Sequence, residues 1–203
     1  MKSTMNLDII GMVKIFDPID NFVYVDKCNA IHYENMSEAL AQSVANKGTH
    51  FISEMHFGNG GTTVDPTGVI TYLPTNTNVQ NADLYSPTYY KIVDDTNAAN
   101  GDPLRNKIVV NHTSGLIYTD IVVSCLLDYG EPSGQAAFDN SQSLNGDFTF
   151  DELGLKGFTS AGAGLGPLLT HVIFSPVQKS LNRLIQIDYT VRIQTLTNLS
   201  TNA

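Results

Sequence analysis

The sequence predicts a mainly β protein, an antiparallel β-sandwich or jelly-roll-like domain with one short α-helix at about residues 35–47. The final strand says so most plainly. From Ile185 the odd positions are Ile185, Ile187, Tyr189, Val191 and Ile193, and the even ones are Gln186, Asp188, Thr190, Arg192 and Gln194. Strand side chains point alternately to opposite faces, so residues 184–194 carry one dry face and one wet face, as in an antiparallel sheet open to water or a partner on one side. The second observation is a succession of short β-branched and aromatic runs separated by Gly, Pro, Asn and Asp. The third is that a single segment has helical spacing.

The elements follow in order. Residues 9–16 read as a first strand, and Asp17-Pro18-Ile19-Asp20-Asn21 as a turn, because Pro fixes φ and Asp and Asn bond locally to the backbone. Residues 22–25 return as a short strand. The helix has Asn35 as N-cap with Glu38 three residues on, an apolar stripe of Met36, Leu40 and Val44, and Gly48 as a left-handed terminator. Strands then fall at 51–57, 69–73 and 89–93, with a polar, Pro-bounded surface loop at 74–87 and an Asn- and Asp-rich loop at 94–106. Further strands are expected at 107–112 and 116–129, the second apolar on both sides and therefore covered on both faces. A long loop spans 130–146, and strands at 148–155 and 168–174 flank the glycine-rich segment 157–166. No internal repeat or linker interrupts the chain, so residues 1–203 form one domain with a polar tail at 195–203.

A chain of 203 residues can bury roughly 70% of its unfolded surface and needs no staples. Its net charge of −9 and pI of about 4.7 argue against a nucleic acid held through its phosphates, which requires clustered cations. The cations present, Lys91, Arg105, Lys107, Lys156, Lys179, Arg183 and Arg192 among them, are scattered. Only 15% of residues are charged, a bias shared by protein–protein interface cores and by loop-rich β proteins. Cys28 and Cys125 do not make a disulfide framework, which favours folding in a reducing compartment and leaves a single bridge open. No secretory apolar region opens the chain and no apolar run reaches the length of a membrane span, so no membrane partner is expected.

Several constellations invite a chemical reading, and each has a plainer one. Gly58-Asn59-Gly60-Gly61-Thr62-Thr63 resembles a phosphate cradle but lacks the Lys and the following helix that such a loop needs, which leaves a tight turn. His32, His50, His56, His112 and His171 show no helical metal spacing. The loop from Asp94 to Asp102 is rich in hard oxygens without the phasing of a calcium loop. Asp147 and Asp151 would stand about 13 Å apart on one strand face, too far for a glycosidase pair. Tyr72, Tyr85, Tyr89 and Tyr90 offer stacking area for a sugar or protein, or simply satisfy β propensity. Accordingly no catalytic, metal or cofactor residue is assigned, and a small-molecule ligand is not expected.

Two stretches carry a resemblance. Glu54-Met55-His56-Phe57-Gly58-Asn59-Gly60-Gly61-Thr62, running into Asp65-Pro66-Thr67-Gly68, is similar to the strand-then-Gly-x-Gly-Gly-Thr opening of tail and fibre-attachment proteins of tailed bacteriophages. Phe150-Asp151-Glu152-Leu153-Gly154-Leu155, followed by Leu168-Leu169-Thr170-His171-Val172-Ile173-Phe174-Ser175-Pro176 and the last strand, resembles phage tail-collar and baseplate-attachment domains. The resemblance implies a non-enzymatic structural subunit of a virion, folded in the host cytoplasm and assembled in several copies with other virion proteins in the tail, baseplate or neck. With no fibre or coiled-coil extension after the domain, a compact adaptor, collar or decoration piece is the expected form. The expected interface residues are Gly58, Asn59, Gly60, Gly61, Thr62, Tyr85, Tyr89, Gln186, Thr190 and Arg192. The rival expectation is a carbohydrate-binding β-sandwich that reads a host receptor through its tyrosines.

Overall fold

Nine strands form one antiparallel sheet in the computed structural model, which describes residues 5–133 and 147–196. In chain order the elements are β1 (Asn6–Phe16), β2 (Val23–Ile31), α1 (Tyr33–Val44), β3 (Ile52–Gly58), β4 (Thr62–Val64), β5 (Ile70–Tyr72), β6 (Pro87–Ile92), β7 (Lys107–His112), β8 (Tyr118–Leu127), β9 (Asp147–Gly157), β10 (Thr170–Ser180) and β11 (Ile185–Leu196). The large sheet runs β6-β3-β9-β10-β2-β1-β11-β8-β7, and β4 and β5 make a separate hairpin. The predicted mainly β class with one short helix is what the chain adopts.

The sheet curls until its two halves share one core. Phe57, Phe150 and Phe174 of β3, β9 and β10 belong to the same buried cluster as Val123, Cys125, Ile187 and Tyr189 of β8 and β11. The phenylalanines meet edge to face, with ring centres 5.4 Å apart for Phe57–Phe150 and 5.7 Å for Phe150–Phe174. Each such fully buried ring contributes roughly 2–3 kcal/mol by removal from water. The curl brings the far ends of the strand order together: Lys91 on β6 donates from Nζ to the carbonyl of Leu126 on β8 at 2.8 Å. The result is a sandwich with barrel-like curvature.

β11 matches its predicted pattern on the dry side from Ile185 to Val191, with Ile185, Ile187, Tyr189 and Val191 at most 1% exposed, while Ile193 at its end is only half-buried. On the other side Gln186, Asp188, Thr190 and Arg192 are half-buried, because β1 and β8 flank the strand along its length. β8 is covered on both faces only near its end, where Leu126 joins Val123, Cys125 and Leu127 among the buried residues. The residues 197–203 of the expected tail and 134–146 of the expected long loop lie outside the described residues.

Three local readings are corrected. The helix starts two residues earlier than predicted and is capped by His32, whose Nδ1 accepts the amide of Asn35 at 3.2 Å. Asn35 is inside the helix, buried, and donates from its amide group to the carbonyl of Leu168 at 2.8 Å. The helix ends at Val44, and Asn46 takes the left-handed conformation (φ 52°) before Gly48 is reached. Second, β2 extends to Ile31 through Asp26-Lys27-Cys28-Asn29, a polar stretch held by pairing with β1 rather than by its own hydrophobicity. Third, β10 continues past Pro176 to Ser180; proline has no amide to give, and the ladder with β9 shifts register between Ile173 and Val177 to pass it.

A candidate platform pinned by buried carboxylates

The register shift has a chemical consequence on β9. Phe148 and Phe150 sit in the core, and so do Leu153 and Leu155, so the inward phase slips by one residue between them. Asp151 and Glu152 are the residues at the slip, and both turn to the loops outside the sheet. Glu152 Oε1 accepts the amides of Gly60 at 3.0 Å and Ser86 at 2.8 Å, and Oε2 accepts the amide of Tyr85 at 2.9 Å and Nε2–H of His171 at 3.0 Å. Asp151 Oδ1 accepts the amide of Gly61 at 2.9 Å, and Oδ2 accepts the amide of Thr62 at 2.8 Å together with its hydroxyl. The glycine run, read from sequence as a tight turn, is also a nest of amides, and the anions in it are the protein's own side chains.

The two acids are pushed apart. Burial works against the charged form of Glu152, but the bond from His171 and the amides of Ser86, Tyr85 and Gly60 outweigh it and hold its carboxyl below the usual range. For Asp151 burial wins over the Thr62 hydroxyl and the amides of Gly61 and Thr62, and with the charge of Glu152 alongside, its carboxyl lies above the usual range. Such a split suits an acid–base pair. Here Glu152 is 0% and Asp151 3% exposed, and all four carboxylate oxygens accept hydrogen bonds from the loops they position.

Further contacts fasten the segment at 74–87 to the same platform. His171 Nδ1 accepts the amide of Asn76 at 2.8 Å, which makes Nε2 the nitrogen that donates to Glu152. Asn59 donates its amide to the carbonyl of Ser86 at 3.1 Å, and Leu73 to that of Gly61 at 2.9 Å. Ala82 and Leu84 bury themselves against Leu168, which anchors a stretch that reads as free polar loop in the sequence.

A second buried cluster lies beside the first. His56 Nε2 is 2.8 Å from Glu54 Oε2, and the amide of Gly164 donates to both oxygens of Glu54 at 3.1 and 2.9 Å. Lys156 donates from Nζ to Asp83 Oδ2 at 2.8 Å and to the carbonyl of Gly164 at 3.1 Å. Burial lowers His56 below the ordinary imidazole value in spite of Glu54, and Tyr90 covers its ring at 5.3 Å between ring centres. This cluster ties the glycine-rich segment 157–166 to β3 and β9. No alternation rule marks Glu54, Asp83 or Lys156 in advance; their pairing depends on strands distant in the chain.

The predicted interface residues fall into two groups. Gly58, Asn59, Gly60, Gly61, Thr62 and Tyr85 come together on the pinned platform, where Gly58 and Gly61 are buried and Tyr85 is exposed. Gln186, Thr190 and Arg192 stand on the outer face of β11, where Arg192 makes a two-pronged ion pair with Asp120 at 2.7 and 2.8 Å. Tyr89 belongs to neither, since its ring packs inward on Phe57 with centres 5.9 Å apart. The oxygens of the loop from Asp94 to Asp102 build local turns: Asp94 Oδ1 accepts from Thr96, Asn97 Oδ1 from Ala99, and Asn100 Oδ1 from Asp102. Both cysteines are free thiols, Cys28 exposed and Cys125 buried. Among the described residues no helix is long and apolar enough to cross a membrane. No protein-family model, curated protein or solved structure matches this chain.

Proposed function

We propose that the chain is a non-enzymatic structural subunit of a tailed-phage virion, an adaptor, collar or decoration piece in the tail, baseplate or neck that assembles with copies of itself and with other virion proteins. The observation that carries this reading is the interlock of the two stretches bearing the resemblance. Asp151 and Glu152 of one hold Gly60, Gly61 and Thr62 of the other through backbone amides. A motif pair spent on shaping a rigid surface suits assembly, and the half-polar outer face of β11 offers a second surface. The test is the solution mass of the 22.1 kDa chain by size-exclusion chromatography with light scattering, followed by immunogold labelling of particles. A discrete multimer and labelled tails are expected; a monomer at every concentration together with unlabelled particles removes the reading.

One observation favours a second reading, a carbohydrate-binding sandwich. A cleft of about 670 Å³ lies beside β6, lined by Tyr89, Tyr90, Asn100, Asp102, Arg105 and Asp128. It joins two of the four tyrosines to the Asp- and Asn-rich loop, and aromatic area among planar polar groups is what sugars stack on. A glycan array distinguishes the two readings, because the assembly reading expects no signal dependent on Tyr90.

A further inference from the structure

The core is left open at one end. α1 lies across it with Met36 and Ala39 buried, while its last turn overhangs and leaves Val44 88% exposed. Between this helix and the inner faces of β7, β8 and β11 runs a cleft of about 290 Å³, walled by Met36, Leu40, Ile108, Val110, Ile121 and Ile193. That volume suits a few aliphatic side chains better than a drug-sized ligand. One wall is a sheet edge. The amide of Ile108 donates to Asp95 Oδ1 at 3.3 Å instead of to β8, so by the alternation of an antiparallel ladder the amides of Val110 and His112 also point off the edge. Val110 is 65% exposed at the lip of the cleft. Its rim carries Asp94 and Asp95, and among the described residues no Lys, Arg or His pairs with either.

We infer that this cleft docks an extended segment of a partner protein, one with alternating aliphatic side chains and a flanking Lys or Arg. The segment lengthens the sheet at Val110 and His112, drops its aliphatic side chains into the cleft and sets its cation against Asp94 and Asp95. Charge selects a basic segment of another protein over a second copy. Each copy carries −9, and the exposed apolar hairpin tip of this chain, with Ile19 66% and Phe22 59% exposed, is itself flanked by Asp17 and Asp20. Docking here is independent of assembly through the outer face of β11, and the two fail separately, one in peptide affinity and the other in solution mass.

The test uses a fluorescein-labelled peptide, Lys-Val-Thr-Ile-Thr-Val-Lys, and its counterpart with Glu at both ends, titrated with the full chain and read by anisotropy. The Lys peptide is expected to bind, to weaken as salt is raised, and to bind about tenfold or more tightly than the Glu peptide. Val110→Arg is expected to abolish binding. Asp95→Asn keeps an oxygen for the Ile108 amide and reads the charge alone, with a several-fold loss; thermal melts verify that both variants fold. No binding of the Lys peptide, equal binding of the two peptides, or affinity unchanged by Val110→Arg each overturns the inference. A dimer of the free chain that Val110→Arg dissociates assigns the cleft to a second copy and overturns it as well.

Discussion

His171 Nε2 lies 3.0 Å from Glu152 Oε2 with both side chains wholly removed from water. Neither can turn away. The amide of Asn76 fixes the other ring nitrogen of His171 as an acceptor, and three further amides hold the carboxylate of Glu152. The pair thus joins β9, β10, the glycine run after β3 and the segment before β6 at one point.

Glu152→Gln tests that joint. The new NH2 would face the amides of Gly60 and Ser86 in one orientation, or the Tyr85 amide and the imidazole N–H in the other, donor against donor either way, and moving the His171 proton would only shift the conflict to Asn76. A loss of about 3 kcal/mol is expected in urea unfolding, the cost of unsatisfied buried donors beside a lost charge-assisted bond. Because folded Glu152 titrates below its ordinary value of 4.5, its contribution is present above that pH and is lost as pH falls through the lower folded value. The gap between wild type and variant should therefore narrow on acidification. A loss under about 0.5 kcal/mol at neutral pH, the size of an ordinary surface change, would mean the joint does not matter.

Gly58→Ala probes the same place by shape. A Cβ there would come 2.5 Å from Glu152 Oε1 and 2.6 Å from the carbonyl oxygen of Ser86, and neither has room to retreat. Destabilisation of about 1–3 kcal/mol is expected. Gly101→Ala, where a Cβ meets nothing within 4 Å, should stay within about 0.5 kcal/mol. Equal melting temperatures for the two variants would remove close approach as the reason for glycine at 58.

Strands that alternate cleanly were legible in the sequence, as β11 shows, because a half-buried strand writes its face pattern into every second residue. β2 was half hidden, since Asp26, Lys27 and Asn29 reveal nothing of the pairing that makes them a strand. Val44 kept the apolar stripe of α1 but not its burial, because the spacing of a helix does not say where its support ends. The pinned platform was legible only in pieces. Gly58 to Thr62 announced a turn, and Phe148, Phe150, Leu153 and Leu155 carried the phase slip that turns Asp151 and Glu152 outward. That these pieces meet depends on pairing across 89 to 92 residues, as in Gly61 with Asp151, which local periodicity does not encode.

Lys156→Met should loosen the glycine-rich segment without unfolding the sheet. Lys156 Nζ links Asp83 to the carbonyl of Gly164, and the methionine stem replaces its packing but not those bonds. Faster amide exchange is expected across residues 158–166, and Gly164 itself should be sped less than its neighbours, because Glu54 still accepts its amide. Exchange unchanged throughout that segment would show that the ion pair is not what holds it.

Thr190→Glu places a carboxylate on the outer face of β11, between Met12 and Val122 on the neighbouring strands. Under the assembly reading it should reduce the multimer to smaller species by light scattering while the near-ultraviolet dichroism stays native, since interface cores reject unpaired charge. A multimer of unaltered mass would mean that this face is not where copies meet.

Lys179 sets the alkaline behaviour. Its ammonium group is buried and donates to the carbonyls of Asp128 and Ser180, both at 2.9 Å. Burial lowers its pKa from 10.5 to about 8, with the charges of Glu131 and Asp128 opposing. Between those values the unfolded chain holds a proton that the folded chain has released, so the contribution of Lys179 to stability rises with pH across about 8 to 10.5 and is flat on either side. The Cys125 thiol, pushed up to about 12 by burial, acts in the opposite sense, because the unfolded chain loses that proton first; the Tyr189 phenol, raised by burial, does the same. Both remain in Lys179→Met, which also leaves the two carbonyls without their donor at every pH. Subtracting the unfolding free energy of Lys179→Met from that of wild type therefore isolates the lysine, and the difference should climb steadily between about pH 8 and 10.5. A difference that is level across that window, measured by urea titration at each pH, would show that the folded chain keeps Lys179 charged as an ordinary lysine.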